Sequence, residues 1–134
     1  MRLLVVDDDP AILELLSSAM RLYGHAVDTA RDGLDAVNRQ LNHRYDAIIT
    51  DADMPRMDGF RLCRFAKAQF PGIRVIGMSG SWAEKAFRKA GADLCLAKPF
   101  DLDELRKAVE KLPPALAVES NRNGLRGNAP CMET

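Results

Sequence analysis

Residues 47–60 read AIITDADMPRMDGF, an apolar run that leads directly into the carboxylate of Asp51. A short apolar run bounded by turn residues is typical of a strand that is buried on both faces of a parallel sheet. Pro55 and Gly59 predict that the chain then forms a loop before the next helix. Asp51 is therefore expected at the carboxyl end of a buried strand, where open α/β sheets place their ligand sites.

On either side of this segment the chain alternates between strand patterns and helical patterns. Strand patterns occupy residues 3–6, 26–30, 47–51, 73–78 and 94–97, and a helical pattern follows each of them. Five strands that alternate with five helices predict an α/β fold with right-handed crossovers. We expect a single doubly wound, five-stranded parallel sheet that is covered by helices on both faces.

Local patterns predict the ends and the inner faces of several helices. Asp32 is placed to cap the second helix, and the patterns at residues 81–84 and 101–104 predict capping boxes for the fourth and fifth helices. Helical spacing predicts that eight side chains of the first two helices face the core: Ile12, Leu15, Leu16, Ala19, Tyr23, Leu34, Val37 and Leu41.

Composition restricts the class of protein. The 134 residues are 47% apolar, which allows a substantial core and excludes a disordered chain. The formal net charge is zero and no basic block is present, so we expect no direct binding to nucleic acid through phosphate neutralisation. No apolar run is long enough to span a bilayer, and no signal-peptide pattern is present, so we expect no membrane association.

Cysteine usage and the C-terminal composition complete this description. Cys63, Cys95 and Cys131 lack the spacing of a metal site or a disulfide framework, which favours reduced thiols and a cytoplasmic location. Beyond residue 112 the apolar periodicity is lost and Asn, Gly and Pro become frequent. We therefore predict one domain over residues 1–112 and a tail or linker over residues 113–134, without a second domain.

Reactive side chains stand at the points where predicted strands end: Asp7, Asp8, Asp51, Ser79 and Lys98. The carboxyl ends of the strands in a doubly wound sheet meet at one edge, so we expect these residues to converge. Clustered carboxylates repel each other, and a hard cation such as Mg²⁺ relieves that repulsion while leaving room for a phosphate oxygen. A lysine and a hydroxyl add donors for an anion. The set as a whole suits phosphoryl transfer onto a carboxylate.

Five motifs in this order resemble a response-regulator receiver domain of two-component signalling, of the kind found in chemotaxis regulators. They are Val5-Val6-Asp7-Asp8, Asp51 with MPRMDG at residues 54–59, Met78-Ser79-Gly80, Gly91-Ala92-Asp93 and Lys98-Pro99-Phe100. The resemblance covers roughly residues 1–112 and implies a flavodoxin-like sheet with strand order 2-1-3-4-5. It implies that a sensor histidine kinase or a histidine phosphotransfer protein donates a phosphoryl group to Asp51, and it names no downstream effector.

The resemblance also implies a Mg²⁺ site. Asp8 and Asp51 would bind the ion directly, the backbone carbonyl of Asp53 would be a third ligand, and Asp7 would act largely through water. Lys98 would contact the phosphoryl oxygens, and it is expected to be joined to Pro99 by a cis peptide bond. Such a protein catalyses only its own phosphorylation and dephosphorylation and is not otherwise an enzyme.

Two departures from the family pattern affect the expected switch, which consists of Ser79 and an aromatic residue three positions before the lysine. Ser79 would move toward a new phosphate, but Cys95 occupies the aromatic position. Ser79 and Gly91 are also about three residues closer together than usual, roughly one helical turn. The output face formed by the fourth helix, fifth strand and fifth helix is therefore expected to differ. Trp82 either adds contact area to that face or simply covers the shortened helix.

Two other functions stay open at this stage. Asp51 and Asp53 resemble the Asp-x-Asp motif of haloacid-dehalogenase-type phosphatases, although in that family the acidic pair follows the nucleophile, whereas Asp7 and Asp8 precede it here. The second alternative function is that of a receiver that folds but is never phosphorylated and acts only as an interaction module. Taken singly, the acidic residues 7–9 could merely cap a helix and Asp51 could form an Asx turn.

Overall fold

The computed structural model describes residues 1–113, which form one five-stranded parallel sheet with helices on both faces. The strands are β1 (Arg2–Val6), β2 (Ala26–Ala30), β3 (Ala47–Asp51), β4 (Arg74–Ser79) and β5 (Leu94–Ala97). The helices are α1 (Pro10–Leu22), α2 (Gly33–Asn42), α3 (Gly59–Gln69), α4 (Glu84–Ala90) and α5 (Leu102–Glu110). Strand order is β2-β1-β3-β4-β5, so the predicted doubly wound, flavodoxin-like fold is confirmed. The predicted tail, from residue 114 onward, lies outside the described residues.

The central strands are apolar on both faces because both faces are covered by helices. On β1, Leu3 and Val5 belong to a core cluster that includes residues of α1 and α5. The alternate residues, Leu4 and Val6, belong to the core on the opposite face, with residues of α2 and α3. Burying a side chain of this size contributes about 1.5–3 kcal/mol. These two cores hold β1 and β3 side by side. The predicted site lies at the carboxyl ends of these two strands.

Helix ends follow the predicted caps with one exception. Asp32 accepts a hydrogen bond from the Asp35 backbone at 2.8 Å, and Asp101 forms a complete capping box with Glu104. The capping box predicted at residues 81–84 is wrong, because Ser81–Ala83 forms a short 3₁₀ turn without a side-chain cap. The Glu84 carboxylate instead accepts a hydrogen bond from Arg88 at 2.7 Å. The first full helical turn of α4 therefore begins at Glu84, which leaves this helix only seven residues long.

The predicted inner faces of α1 and α2 are partly wrong. Leu15, Tyr23, Leu34 and Leu41 are exposed, whereas Leu13, Met20, Ala36 and Gln40 are among the buried residues of these helices. Both helices have apolar residues on more than one face, so spacing alone does not select the face that meets the sheet. Apolar residues at the surface are common in folded proteins.

Candidate functional site

Three carboxylates converge at the carboxyl edge of the sheet. One oxygen each of Asp7, Asp8 and Asp51 lies within 4.8 Å of the others. The reason is strand register: β1 and β3 pair in parallel with Val6 opposite Thr50, so Asp7 and Asp51 leave the sheet as neighbours. The predicted convergence of these carboxylates is therefore present in the fold.

Asp7 is the most deeply buried of the three, with 1% of its surface exposed. Its Oδ1 accepts a hydrogen bond from the Asp9 backbone at 2.9 Å, while its buried Oδ2 has no hydrogen-bond partner among the described residues. Burial raises the pKa of Asp7, and the negative charges of Asp51 and Asp8 raise it further, against the opposing effects of the Asp9 N–H and Lys98. Clustered carboxylate oxygens, one of which accepts no hydrogen bond, are the kind of ligands that a hard divalent cation prefers.

Lys98, which directly follows β5, brings a positive charge to the carboxylate cluster. Its Nζ lies 3.0 Å from Asp51 Oδ1 and 3.7 Å from Asp7 Oδ2. The Lys98 backbone N–H donates to the Ser79 carbonyl at 2.8 Å, and the predicted cis bond to Pro99 is confirmed. Burial alone would lower the pKa of Lys98, but the hydrogen bond and charge of Asp51 and the charge of Asp7 outweigh it and raise the pKa. Lys98 therefore carries a full positive charge at neutral pH.

Ser79 and Asp53 lie at the same edge, and among residues 1–113 neither side chain forms a hydrogen bond or ion pair with Asp7, Asp8 or Asp51. Ser79 is the last residue of β4 and is buried, and its hydroxyl donates to the Gly80 carbonyl at 3.1 Å. Asp53 is exposed in the loop after β3. This loop closes through a hydrogen bond from the Gly59 N–H to the Ala52 carbonyl at 2.9 Å. A Cβ at Gly59 would lie 2.1 Å from the Asp51 carbonyl oxygen, so only glycine allows α3 to start this close to β3.

Comparison with known proteins agrees with this arrangement. Residues 3–110 match the family model of the response regulator receiver domain. The chain belongs to that family. It is therefore a receiver domain of the two-component systems, as the five motifs predicted, and the order of its acidic residues belongs to this family rather than to the dehalogenase-type phosphatases.

Relatives of known name and structure support the same assignment. The receiver is 39% identical over 107 residues to the response regulator MprA of Mycobacterium sp. (strain KMS). The aligned region covers 78% of this chain and 46% of MprA. The chain thus spans about half the length of such curated relatives. The response regulator TrrA from Thermotoga maritima, solved in complex with Mg²⁺-BeF, is similar with a TM-score of 0.78 and 32% identity, over 84% of this chain and 98% of that one. The chemotaxis response regulator CheY4 of Vibrio cholerae is similar with a TM-score of 0.76 and 28% identity, over 82% of this chain and 96% of CheY4.

Cys95, at the position where the family pattern has an aromatic residue, lies half-buried in this receiver. It packs against a small core cluster formed by Ala52, Ala83 and Phe87. Burial raises the pKa of the Cys95 thiol, and the nearby Glu84 carboxylate raises it further. The thiol is therefore protonated at neutral pH, which gives Cys95 a packing role in this cluster.

Sequence patterns alone did not identify an aromatic cluster beside the site, formed by Phe60, Trp82 and Phe87. Phe60 and Phe87 meet edge to face with their ring centres 4.7 Å apart, and Phe60 and Trp82 with their ring centres 6.2 Å apart. Phe87 is fully buried, whereas 69% of Trp82 is exposed. The spacing of Ala83, Phe87 and Ala90 was a usable signal for the buried face of this short helix. The cluster connects the first residues of α3 to α4 and to the exposed surface at Trp82.

The helices of residues 1–113 include none that is both long enough and apolar enough to cross a membrane.

Proposed function

We propose that this receiver accepts a phosphoryl group from a phosphohistidine donor on Asp51 in a Mg²⁺-dependent reaction. The observation that carries the proposal is the convergence of three carboxylate oxygens within 4.8 Å, with the Lys98 Nζ at 3.0 Å from Asp51. Asp7, the other carboxylate near this lysine, lies farther from the Lys98 Nζ, at 3.7 Å. Asp51 is also less buried than Asp7, so a donor can reach it.

Asp8 and Asp51 would hold the ion directly, with the Asp53 backbone carbonyl as a third ligand and Asp7 acting through water. The Oδ2 of Asp7 supports this assignment because it accepts no hydrogen bond and has only the Lys98 Nζ nearby, at 3.7 Å, which leaves it able to accept from a water bound to the ion. Mg²⁺, when bound, supplies positive charge to the phosphoryl oxygens during transfer.

Asp51 acts as the nucleophile. Its carboxylate oxygen forms a bond to phosphorus while the phosphorus–nitrogen bond to the donor histidine breaks, and the imidazole leaves with the bonding electron pair and takes up a proton. Lys98 then transfers its contact from the Asp51 carboxylate to a phosphoryl oxygen. The Ser79 hydroxyl leaves the Gly80 carbonyl and donates to another phosphoryl oxygen. Water later attacks phosphorus, the bond between phosphorus and the Asp51 oxygen breaks, and inorganic phosphate leaves, which restores the Asp51 carboxylate. The chain therefore catalyses only its own phosphorylation and dephosphorylation.

The donor is a sensor histidine kinase or a histidine phosphotransfer protein, and the reaction takes place in the cytoplasm. The output is a protein contact made by an altered face of α4, β5 and α5, without direct nucleic-acid or membrane binding by residues 1–112. Support for an altered face comes from the seven-residue α4, the small Cys95 side chain and the exposed Trp82.

Incubation with Mg²⁺ and phosphoramidate, followed by intact mass measurement, tests the proposal. We expect one added phosphoryl group, and we expect none in Asp51→Asn or after chelation with EDTA. Asp58→Asn is the matched control, because Asp58 belongs to the same loop but caps α3, and asparagine caps equally well. Addition that persists in Asp51→Asn would refute the acceptor assignment. No addition to the parent chain would favour a receiver that acts purely as an interaction module.

A further inference from the structure

Arg56 has an unusual backbone conformation in the loop between β3 and α3. Its φ is 68°, and it is the one non-glycine residue among residues 1–113 with a positive φ. Side chains disfavour this left-handed region, and glycine adopts it freely. Glycine at position 56 would therefore form the same turn at lower cost in free energy. The presence of arginine indicates that its side chain contributes something that glycine lacks.

The Arg56 guanidinium binds a buried carboxylate on a neighbouring turn. Its Nε lies 2.8 Å and its Nη2 2.6 Å from Asp32 Oδ2. The other oxygen of Asp32 accepts the α2 cap bond from the Asp35 backbone at 2.8 Å. Burial alone would raise the pKa of Asp32, but the Asp35 N–H and the Arg56 guanidinium together lower it. Asp32 is therefore ionised at neutral pH, and each of its oxygens has a separate role.

A second contact holds the same loop tip to the same turn. The Gly33 N–H donates to the Met57 carbonyl at 3.1 Å. A Cβ at Gly33 would lie 2.5 Å from the Met57 Cβ and carbonyl oxygen, so the approach of the two segments depends on glycine. At the other end, the bond between Gly59 and Ala52 closes the loop at its base. The loop over residues 53–58 is thus fixed at its base and at its tip, with Asp53 between the two fixed points.

We infer that Asp32 and Arg56 are a positioning pair for the Mg²⁺ site, which hold the β3–α3 loop so that the Asp53 backbone carbonyl faces the ion. This inference rests on the proposed function, since Asp53 is a ligand only if the carboxylate edge binds Mg²⁺. Among residues 1–113, neither Arg56 nor Asp32 forms a hydrogen bond or ion pair with Asp7, Asp8 or Asp51. Their effect is on the geometry of the loop, because a backbone carbonyl can be aimed only by fixing the chain on both sides of it.

The pair is suited to positioning rather than to general stabilisation. Arg56 is more than half exposed, so solvent screens its pairing with the buried Asp32 carboxylate and limits the contribution of the pair to the free energy of unfolding. Removal of the side chain by Arg56→Gly also relieves the left-handed backbone, which offsets the lost contact. Asp32→Ser keeps a residue that caps helices well but cannot reach Arg56. Both variants should therefore fold, while the loop is released at its tip.

The test is the dissociation constant for Mg²⁺, measured by isothermal titration calorimetry on the full chain, together with thermal unfolding in EDTA. We expect Arg56→Gly and Asp32→Ser each to weaken Mg²⁺ binding by about tenfold, the lower end of the effect of partners that orient metal ligands. The double variant should be no weaker than either single variant, because both changes remove one interaction. The unfolding temperature in EDTA should stay close to that of the parent.

Arg88→Ala is the matched control, since it removes an exposed arginine–carboxylate pair at 2.7 Å that lies on α4, away from the loop. It should leave Mg²⁺ affinity unchanged. Parent-like Mg²⁺ affinity in both loop variants would overturn the inference and leave the proposed function intact. Additive losses in the double variant, or a large fall in the unfolding temperature, would also overturn it by showing separate structural roles. A parent chain that binds no Mg²⁺ would overturn the proposed function and the inference with it.

Discussion

At the scale of single residues, the three carboxylates of the cluster differ in burial. Asp7 is buried with one oxygen unpartnered, Asp51 is half-buried and paired with Lys98, and Asp8 is exposed. Their environments therefore differ in charge and in access to solvent. These differences lead to two predictions, one for the protein without metal and one for its phosphorylated form.

Without metal, Asp7 should destabilise the fold when it is ionised. Its pKa is raised in the folded state, so the folded chain holds the proton more tightly than the unfolded chain does. The stability contribution is complete below the ordinary pKa of an aspartate and is lost as pH rises through the raised value. We expect Asp7→Asn in EDTA to be more stable than the parent at neutral pH and equally stable near pH 3.

Chemical denaturation of both proteins across this pH range measures the difference. Asp28→Asn is the control, and its effect on stability should have the opposite sign. Hydrogen bonding by Tyr45 lowers the pKa of Asp28, so removal of the Asp28 charge should destabilise the folded chain at neutral pH. A difference between Asp7→Asn and the parent that does not change with pH would contradict the prediction.

Asp53 should control the lifetime of the phosphorylated state. Its exposed carboxylate lies two residues beyond the acceptor, where it can repel the phosphoryl group or order an attacking water. We expect Asp53→Asn to change the rate of phosphate loss while Mg²⁺ affinity stays close to that of the parent, because the backbone carbonyl is retained. The decay of the phosphorylated mass with time, measured at saturating Mg²⁺, tests this. An unchanged lifetime would count against it.

At the scale of secondary-structure elements, the region from β4 to β5 differs from the family pattern in a consistent way. A seven-residue α4 buries Phe87 against the sheet, and Cys95 packs on the same cluster. The aromatic surface lies instead at Trp82, which is mostly exposed beside Phe60. The chemistry at the sheet edge and the face formed by α4 therefore use different residues.

Cys95→Tyr tests this separation of chemistry from readout. The residue lies on β5 three positions before Lys98, and it makes no hydrogen bond to the carboxylate cluster among the contacts of residues 1–113. We expect the rate of phosphoryl uptake from phosphoramidate to change less than about twofold, since no reacting group is moved. Intact mass against time gives the rate. A large loss of uptake would show that Cys95 and the acceptor site are coupled.

Gly77→Ala tests the packing of the short α4. A Cβ at Gly77 would lie 2.5 Å from the ring of the fully buried Phe87, so the added methyl group cannot be accommodated without displacement. We expect a loss of about 1–3 kcal/mol in the free energy of unfolding. Gly80→Ala is the matched control, because its Cβ would meet only the exposed Trp82 ring, at 3.0 Å. Equal losses in the two variants, measured by chemical denaturation, would contradict this account.

At the scale of the whole molecule, the acidic edge connects metal binding to global stability. A ligand that binds only the folded state stabilises it, by about 2.7 kcal/mol at a concentration 100 times its dissociation constant. For a domain of this size we expect Mg²⁺ at that concentration to raise the unfolding temperature by about 10 °C. EDTA should reverse the shift, and Asp8→Asn should reduce it. Absence of any shift in the parent chain would contradict a Mg²⁺ site at this edge.

Much of this receiver follows from local sequence. The apolar run before Asp51 and the alternation of strand and helix patterns predicted the sheet and the edge at which Asp7, Asp8 and Lys98 meet, whereas the strand order was expected from the family resemblance. These features are predictable because a buried parallel strand needs apolar residues on both faces, and the carboxyl ends of such strands share one edge. The Asp101 capping box was predictable for the same reason, since its hydrogen bonds join neighbours in the chain.

Features that depend on contacts between distant segments emerged only in three dimensions. The exposure of Leu15 and Leu41, the 3₁₀ turn before α4 and the pairing of Arg56 with Asp32 each depend on which surfaces meet after folding. Periodicity identifies an apolar face but not the partner that covers it, and a lone arginine in a loop carries no signal of a carboxylate 24 positions earlier. Burial and register, which are properties of the packed molecule, made Asp7 different from Asp8 and gave Arg56 a role.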